Sequence, residues 1–134
     1  MIPMLILSLL LVGTGPAQAQ DAASEERVQA GALVFKKCMA CHQIGPNAKN
    51  GIGPVLNGVV GRPAGQYPQY TYSSATKESG LTWDEPTLVR YLRTPSKVVP
   101  GTRMAFAGLQ KDQEISAVIA YLKHFAPDGN EARP

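Results

Sequence analysis

Both cysteines of the chain and one of its two histidines lie within one short segment, Cys38-Met39-Ala40-Cys41-His42. Two thiols at this spacing can form a redox disulfide, supply half of a zinc site, or carry a covalently attached group. A thioredoxin-type disulfide needs a βαβ setting, a structural zinc site needs four ligands, and a structural disulfide does not need His42. The sequence shows no βαβ pattern, and His124 is the only other histidine.

Cys-x-x-Cys-His is instead the attachment signature of c-type haem. Two cysteines near the end of a helix can form thioethers with the two vinyl groups of one porphyrin. The next residue, His42, can then offer its imidazole to the iron. The motif therefore predicts one haem c, attached covalently through Cys38 and Cys41, with His42 as an axial ligand.

The second axial position of such an iron decides its chemistry, because an open position binds gases or peroxide and a filled one favours electron transfer. Met39 lies inside the attachment motif, which leaves Met104 and His124 as strong ligands outside the apolar N-terminal segment. A histidine at the end of an amphipathic helix more often faces solvent or complements the helix dipole. A methionine in a Pro/Gly loop can simply fill an apolar gap. With a haem to bind, we predict Met104 as the ligand.

The N-terminal segment indicates export. An apolar run from Met4 to Val12 precedes Ala17-Gln18-Ala19, whose small residues are typical of a signal-peptidase site. The segment lacks the Lys or Arg with which such signals normally open. A retained membrane anchor is the alternative, but a spanning helix needs about 20 apolar residues and this run is shorter. We expect a cleaved signal over 1–19, a flexible leader over 20–26, and a protein of the periplasm.

Composition limits the class of protein further. The 134 residues carry a formal net charge of +3, and no Lys/Arg run suggests a nucleic-acid partner. Three Phe, one Trp and five Tyr stand against 13 Gly and 11 Pro, so large apolar side chains are few. Small domains with such cores usually need a metal, a disulfide framework or a cofactor.

Helical periodicity begins after the leader. Ser24 is a candidate N-cap, and Val28, Ala32 and Phe35 lie on one face of a helix that we expect to end near Lys37. A glycine in the middle of a helix costs about 1 kcal/mol of helix propensity. Gly31 is such a glycine: it often means that another helix passes close by, and simple tolerance is the alternative.

Three later segments also favour helix. A short helix is expected over 73–79, and a capping box over 82–85 opens another that Pro95 ends. Asp112 is a candidate cap for the last helix, which carries an apolar stripe. The stripe consists of Ile115, Val118, Ile119 and Leu122.

Between these helices, residues 43–72 are punctuated by Gly and Pro and show no periodicity. A loop of this length inside a small domain is typical of a functional segment or a wrapped ligand. No strand pattern alternates convincingly. The sequence therefore predicts an all-α fold: a single small domain, residues 27–125, of four to five helices and long loops around one haem, followed by a polar tail over 126–134.

Several segments resemble class I c-type cytochromes, a family that includes mitochondrial cytochrome c and its soluble bacterial periplasmic counterparts. They are CMACH, GP at Gly53-Pro54, YTYSSATKESGLTW, LVRYLRTPSKVVPGTRMAFAGL and AVIAYLK. The resemblance covers Arg27 to Phe125 in the order of the family. It implies that Cys38 and Cys41 carry the haem and that His42 and Met104 are the axial ligands.

The resemblance also implies roles for residues near the haem. The Pro54 carbonyl accepts from the second ring nitrogen of His42. The other residues are implied to bind or balance a haem propionate or to lie near the methionine, with ordinary packing as the alternative for each. By resemblance, Tyr72 and Trp83 are implied to bind a propionate and Arg62 to balance its charge. Tyr91 and Thr102 are implied to lie near Met104 and the inner propionate. Gly31, Phe35 and Tyr121 are implied to form the crossing of the first and last helices.

Some residues depart from the family pattern. Thr76 replaces an asparagine near the haem, and Asn50 replaces a histidine after the attachment motif. Lysines that surround the haem edge in the mitochondrial protein are partly missing, so we expect weaker attraction of acidic partners. The replaced positions are Ser96, Gln110 and Asp112, and the basic residues that remain are Lys37, Lys97, Arg103 and Lys111.

The function that these features imply is one-electron transfer at a positive potential, without substrate chemistry. By resemblance, the protein is a monomeric carrier between a cytochrome bc complex and a terminal oxidase, a reductase or a photosynthetic reaction centre, in transient contact with these membrane complexes. A dedicated cytochrome subunit of a periplasmic dehydrogenase is one alternative. A haem peroxidase or gas-binding protein is another, although no distal His or Arg stands on a recognisable helix.

Overall fold

The computed structural model of the chain describes Gly13 and residues 15–132. Its five helices are α1 (Pro16–Phe35), α2 (Ser74–Lys77), α3 (Glu85–Arg93), α4 (Pro95–Val98) and α5 (Asp112–Lys123). Across the described residues, extended pairing is confined to two isolated antiparallel bridges, Pro63–Thr82 and Phe125–Glu131. The predicted all-α class is therefore confirmed. None of the helices in this part of the chain combines the length and apolar character needed to cross a membrane.

Helix α1 begins earlier than predicted. The expected N-cap, Ser24, lies inside the helix, which starts at Pro16 after an extended Gly15. Proline suits a first helical turn because its φ is already helical and no hydrogen bond needs its missing N–H. Residues 20–26, expected as a flexible leader, are therefore helical, although all of them are exposed.

Helix α3 is capped by Asp84, not by the predicted Thr82. The Asp84 carboxylate accepts from the Thr87 backbone N–H at 2.9 Å. Hydrogen bonds from the side chain and the backbone of Thr87 hold the pKa of Asp84 below its usual value. Pro86 decides this start, since proline is tolerated in the first turn of a helix but not farther inside. Thr82 instead forms the bridge with Pro63.

Helix α5 also starts one residue earlier than its predicted cap implies. Asp112 is the first helical residue, and Lys111 at the N-cap makes no side-chain capping bond. The Asp112 carboxylate instead pairs with Arg93 at the end of α3. The predicted apolar stripe of α5 is confirmed, because Ile115, Val118, Ile119 and Leu122 are all buried.

The crossing of α1 and α5 organises the core. A Cβ built on Gly31 would lie 2.0 Å from the Ala117 carbonyl oxygen, so only glycine fits there. One turn later, the Phe35 and Tyr121 rings pack with centroids 5.2 Å apart. The close approach predicted from Gly31 is confirmed, and it sets the position of the C-terminal end of α1, where the attachment motif begins.

The segment after α5 is folded and not a free tail. Residues 125–132, called here the C-terminal turn, fold back on themselves through the Phe125–Glu131 bridge. Ala126 N–H donates to the Asn130 carbonyl at 2.9 Å, and Ala132 N–H donates to the His124 carbonyl at 2.7 Å. Over the residues described here, the segment expected as a polar tail is thus a folded turn.

We expect Gly31→Ala to destabilise the haem-loaded protein by about 2 kcal/mol, because the methyl group must displace the backbone of α5. This cost exceeds the roughly 1 kcal/mol that alanine gains in helix propensity. Chemical denaturation followed by circular dichroism measures the difference. Leu33→Ala is the control: Leu33 is 64% exposed on the same helix, and its truncation should change the free energy of unfolding by less than about 0.5 kcal/mol. Equal stability of the Gly31→Ala and unmodified proteins would contradict the close crossing.

Candidate haem-binding site

The attachment motif forms a tight turn directly after α1. Cys38 N–H donates to the Phe35 carbonyl at 2.8 Å, and His42 N–H donates to the Cys38 carbonyl at 2.9 Å. Both thiols are partly exposed, and Met39 between them is 62% exposed. The turn therefore presents two thiols and one imidazole within a single loop of the backbone.

The His42 ring is held from one side by the loop that follows. Its Nδ1 lies 2.7 Å from the Pro54 carbonyl oxygen, which is the contact that the resemblance implied. Because a carbonyl only accepts, Nδ1 carries the proton and Nε2 keeps a free lone pair. Burial lowers the pKa of His42, although the Pro54 bond opposes the effect, so the neutral imidazole needed by a metal is favoured.

Gly53 makes this arrangement possible. A Cβ at that position would lie 2.4 Å from His42 Cε1, so any side chain would push the ring aside. Gly53 N–H also donates to the Cys41 carbonyl at 2.7 Å, which joins the loop to the attachment motif. The Gly53-Pro54 pair therefore leaves space for the imidazole and also supplies its hydrogen-bond acceptor.

Met104 is held by two hydroxyl groups. The Tyr91 hydroxyl, on α3, donates to Met104 Sδ at 3.7 Å and lies 3.4 Å from Thr102 Oγ1. Thr102 Oγ1 also accepts from the Met104 backbone N–H at 3.2 Å. Burial raises the pKa of Tyr91, so its hydroxyl keeps the proton that it donates. The structure thus brings Tyr91 and Thr102, the two residues that the resemblance placed near the methionine, into contact with Met104.

Trp83 connects the methionine side of the site to Arg62. The Trp83 ring packs on Tyr91 with centroids 4.6 Å apart, and Trp83 is buried. Its backbone N–H donates to the Arg62 carbonyl at 2.9 Å, and its own carbonyl accepts from Gly61 N–H at 2.8 Å. These contacts lock the loop before α3 onto the long loop that carries Arg62.

The Arg62 guanidinium turns inward. It donates to the Asn57 and Val55 carbonyls at 2.9 and 3.3 Å and lies 4.8 Å above the Tyr67 ring. Burial lowers the pKa of Arg62. Its positive charge has no carboxylate within ion-pair distance in the described part of the chain, which fits the propionate expected as its counter-charge. The Tyr72 hydroxyl accepts from the Tyr67 backbone N–H at 3.2 Å in the same region.

Taken as a donor set, these residues fit one haem c. The two thiols can form thioethers, the free Nε2 of His42 can bind iron, and the thioether of Met104 can supply a further soft donor. Partly buried apolar side chains adjacent in sequence to these groups pack against the core and can cover a porphyrin. They include Leu56, Leu92 and Phe106.

His124, the other candidate ligand, lies elsewhere. It is the C-cap of α5, and its Nε2 is 3.5 Å from the Glu131 carboxylate in the C-terminal turn. The ring also packs edge-on against Phe125 with centroids 5.7 Å apart. These contacts give His124 a role in fastening the C-terminal turn to α5.

Two residues that depart from the family pattern, Asn50 and Thr76, make hydrogen bonds with their side chains. Asn50 joins two parts of the long loop, since its Oδ1 accepts from Val55 N–H at 2.9 Å and its Nδ2 donates to the Pro68 carbonyl at 3.1 Å. Thr76 forms hydrogen bonds with Ser73, the N-cap of α2. The amide of Asn50 thus fastens the long loop with a group that does not titrate.

Sequence reasoning missed Asn57, which is 5% exposed. Its side chain accepts from Gly45 N–H at 2.8 Å and donates to the Gly45 carbonyl at 2.9 Å. One buried side-chain amide thus satisfies both the backbone N–H and the backbone C=O of Gly45, as a neighbouring strand would. The only sequence signal was an asparagine before glycine in an otherwise apolar stretch, which is common in ordinary turns.

Comparison with known proteins identifies the family of the chain. The sequence model of the family described as cytochrome c matches residues 28–126. The chain belongs to the cytochrome c family. It is 48% identical over 125 residues to cytochrome c2 from Blastochloris viridis, which covers 93% of this chain and 94% of that protein. It is 54% identical over 102 residues to cytochrome c2 from Rhodoblastus acidophilus, with 76% and 95% coverage.

Solved structures agree with this cytochrome c assignment. Cytochrome cH from Methylobacterium extorquens is 46% identical and superposes with a TM-score of 0.68, covering 72% of this chain and 96% of that chain. As a cytochrome c with the Cys-x-x-Cys-His motif, the protein carries one haem c attached through Cys38 and Cys41 and serves in electron transfer.

Covalent attachment gives a direct test of the two cysteines. A variant with Cys38→Ser and Cys41→Ser should release its haem on extraction with acidified organic solvent, because no thioether remains, whereas the unmodified protein should keep it. A pyridine haemochrome spectrum of the protein fraction measures what is retained. Met39→Leu is the control within the same motif, and it should keep the haem fully. Retention of haem by the double variant would rule out attachment at these residues.

Proposed function

We propose that this cytochrome c is a one-electron carrier of the periplasm in which His42 and Met104 are the axial ligands. The single observation that carries the ligand assignment is the paired support of the two side chains. Pro54 orients His42 through Nδ1, and Tyr91 orients Met104 through its sulfur. When bound, the haem supplies a reversible one-electron couple, and the protein needs no substrate pocket for this function.

The residues around Met104 favour the reduced state. A methionine ligand raises the potential of a c-type haem. The Tyr91 hydroxyl, which donates to Met104 Sδ, draws electron density from the sulfur and so disfavours the more positive ferric form. Burial acts in the same direction, because a low dielectric penalises the additional charge. A positive midpoint potential is the expected result.

The hydrogen bonds that hold Met104 also help to decide between an electron carrier and a haem peroxidase or gas-binding protein. A peroxidase or gas-binding protein needs an open position at the iron, so the methionine would have to leave easily. The Tyr91 and Thr102 hydroxyls instead fasten both its sulfur and its backbone. This support favours a carrier with a permanently filled coordination sphere.

The partners we propose are redox complexes with acidic docking surfaces, such as a cytochrome bc complex and an oxidase, reductase or reaction centre. Lys97, Arg103 and Lys111 are exposed on or beside the loop that carries Met104. Lys37, also expected among the docking charges, pairs with Glu114 at 2.8 Å, so its amine is engaged within the protein. Exposed charges of this kind mainly raise association rates and leave the complexes short-lived.

Spectroscopy tests the ligand assignment. The ferric protein should show the weak far-red absorption band that reports iron bonded to methionine sulfur, and its midpoint potential should be positive. Met104→Ala should lose the band, gain carbon monoxide binding in the ferrous form and have a lower midpoint potential. Met39→Leu, a change at the other methionine within the described residues, should alter none of these properties. A Met104→Ala protein that keeps the band would refute the assignment.

Electron transfer to a small anion tests the charged surface. Oxidation of the ferrous protein by hexacyanoferrate(III), followed by stopped flow, should slow as ionic strength rises. Lys97→Gln and Arg103→Gln should each lower the rate constant about threefold at low ionic strength, because each removes a positive charge near the Met104 loop. Lys123→Gln changes the net charge equally, but Lys123 lies at the end of α5, beside Glu85 and not on the loop that carries Met104, so a smaller effect is expected. Equal effects of all three variants would contradict a local docking surface.

A further inference from the structure

His42 and Pro54 belong to a larger set of pairings, called here the His42 ladder, between residues 41–45 and 53–57. Besides the ring bond to Pro54, Gly53 N–H donates to the Cys41 carbonyl at 2.7 Å and Leu56 N–H donates to the Gln43 carbonyl at 3.0 Å. The two hydrogen bonds between the Asn57 side chain and the Gly45 backbone close the far end of the ladder. The orientation of the imidazole therefore depends on a paired loop and not on one hydrogen bond alone.

The C-terminal turn covers that far end. Gly129 has φ +83°, and a Cβ there would lie 2.2 Å from the Gly45 carbonyl oxygen and 2.6 Å from Asn57 Nδ2. Both Gly45 and Gly129 are buried. The backbone of the turn thus lies directly on the Asn57–Gly45 pair and keeps water from competing for its hydrogen bonds.

A second contact fixes the turn to the residue after Asn57. Gly58 N–H donates to the Phe125 carbonyl at 3.1 Å, and a Cβ on Gly58 would lie 2.8 Å from Pro127 Cγ. Gly129 N–H donates to the Ala126 carbonyl at 2.9 Å, so the turn is closed on itself while it makes these contacts. It therefore covers the ladder as a small rigid unit anchored at the end of α5.

We propose that the C-terminal turn is a positioning element for the iron ligand: it keeps the His42 ladder closed and thereby keeps the His42 imidazole aligned through Pro54. The inference rests on the proposed ligand role of His42. Without the turn, Asn57 and Gly45 meet solvent, and the ladder opens more often from that end. A looser Nδ1–H bond makes the imidazole a weaker donor to the iron, so the midpoint potential rises.

The test compares two variants of the haem-loaded protein with a matched control. One variant ends at Ala126, and the other is Gly129→Ala, which has no room for its methyl group. The control is Gly80→Ala: Gly80 also has a positive φ, +65°, but no atom lies within 4 Å of its missing Cβ. Nuclear magnetic resonance on the ferrous form measures the solvent exchange of the His42 Nδ1 proton. The same experiment measures the buried amides of α5, which report global unfolding.

We expect the His42 proton to exchange at least about tenfold faster in both variants, relative to the amides of α5, and to keep its relative rate in Gly80→Ala. A rise in midpoint potential should accompany the faster exchange. Equal acceleration of the ring proton and the α5 amides would make the turn a general stabiliser and overturn the proposal. Unchanged exchange would overturn it too, as would failure of both variants to fold, since the role would then be global.

The ligand assignment is tested separately in the unmodified protein. Absence of the far-red band there would refute the ligand set proposed above, whatever the variants do. A normal band in the unmodified protein, together with unchanged exchange in the variants, would refute only the role of the C-terminal turn.

Discussion

The hydrogen bond between His42 Nδ1 and the Pro54 carbonyl is the constraint on which the rest of the site depends. It selects the tautomer, and at 2.7 Å it fixes the direction of the ring. The bond can form only because Gly53 has no side chain and because the loop that carries Pro54 is paired back to the attachment motif. Much of the long loop, which has no regular secondary structure, can therefore be understood as a support for one carbonyl group.

The helices supply the other half of the support. Gly31 lets α1 approach α5 so closely that the chain leaves α1 at a defined place, and the attachment motif follows at once. Later in the chain, α3 presents Tyr91 to Met104. The start of α3 is set by Asp84 and Pro86. Backbone packing and local capping thus place the two proposed ligands, His42 and Met104, which are far apart in the chain.

Charged side chains fall into two groups, exposed ion pairs and one partly buried arginine. Exposed acidic groups pair with bases on neighbouring helices, as Asp112 does with Arg93 and Glu85 does with Lys123, and such pairs add little stability individually. Arg62 is different, because it is partly buried and donates to carbonyl groups only. Its unbalanced charge suits a carboxylate supplied by the cofactor, so the protein places this cation where the haem is expected to bring an anion.

The sequence by itself determined the chemistry: Cys38, Cys41 and His42 lie within five consecutive residues, and attachment spacing is a local property that needs no fold to be recognised. Periodicity likewise determined the helical class and the buried face of α5. Helix starts were less predictable. Ser24, Thr82 and Asp112 are good capping residues by type, but prolines in the first turns of α1 and α3 and the pairing of Asp112 with Arg93 favoured other starts. Only the tertiary structure decided what covers the His42 ladder. A glycine in a polar C-terminal segment and a buried asparagine more than seventy residues earlier carry no mutual signal, since their complementarity exists only once the chain has brought their backbones together.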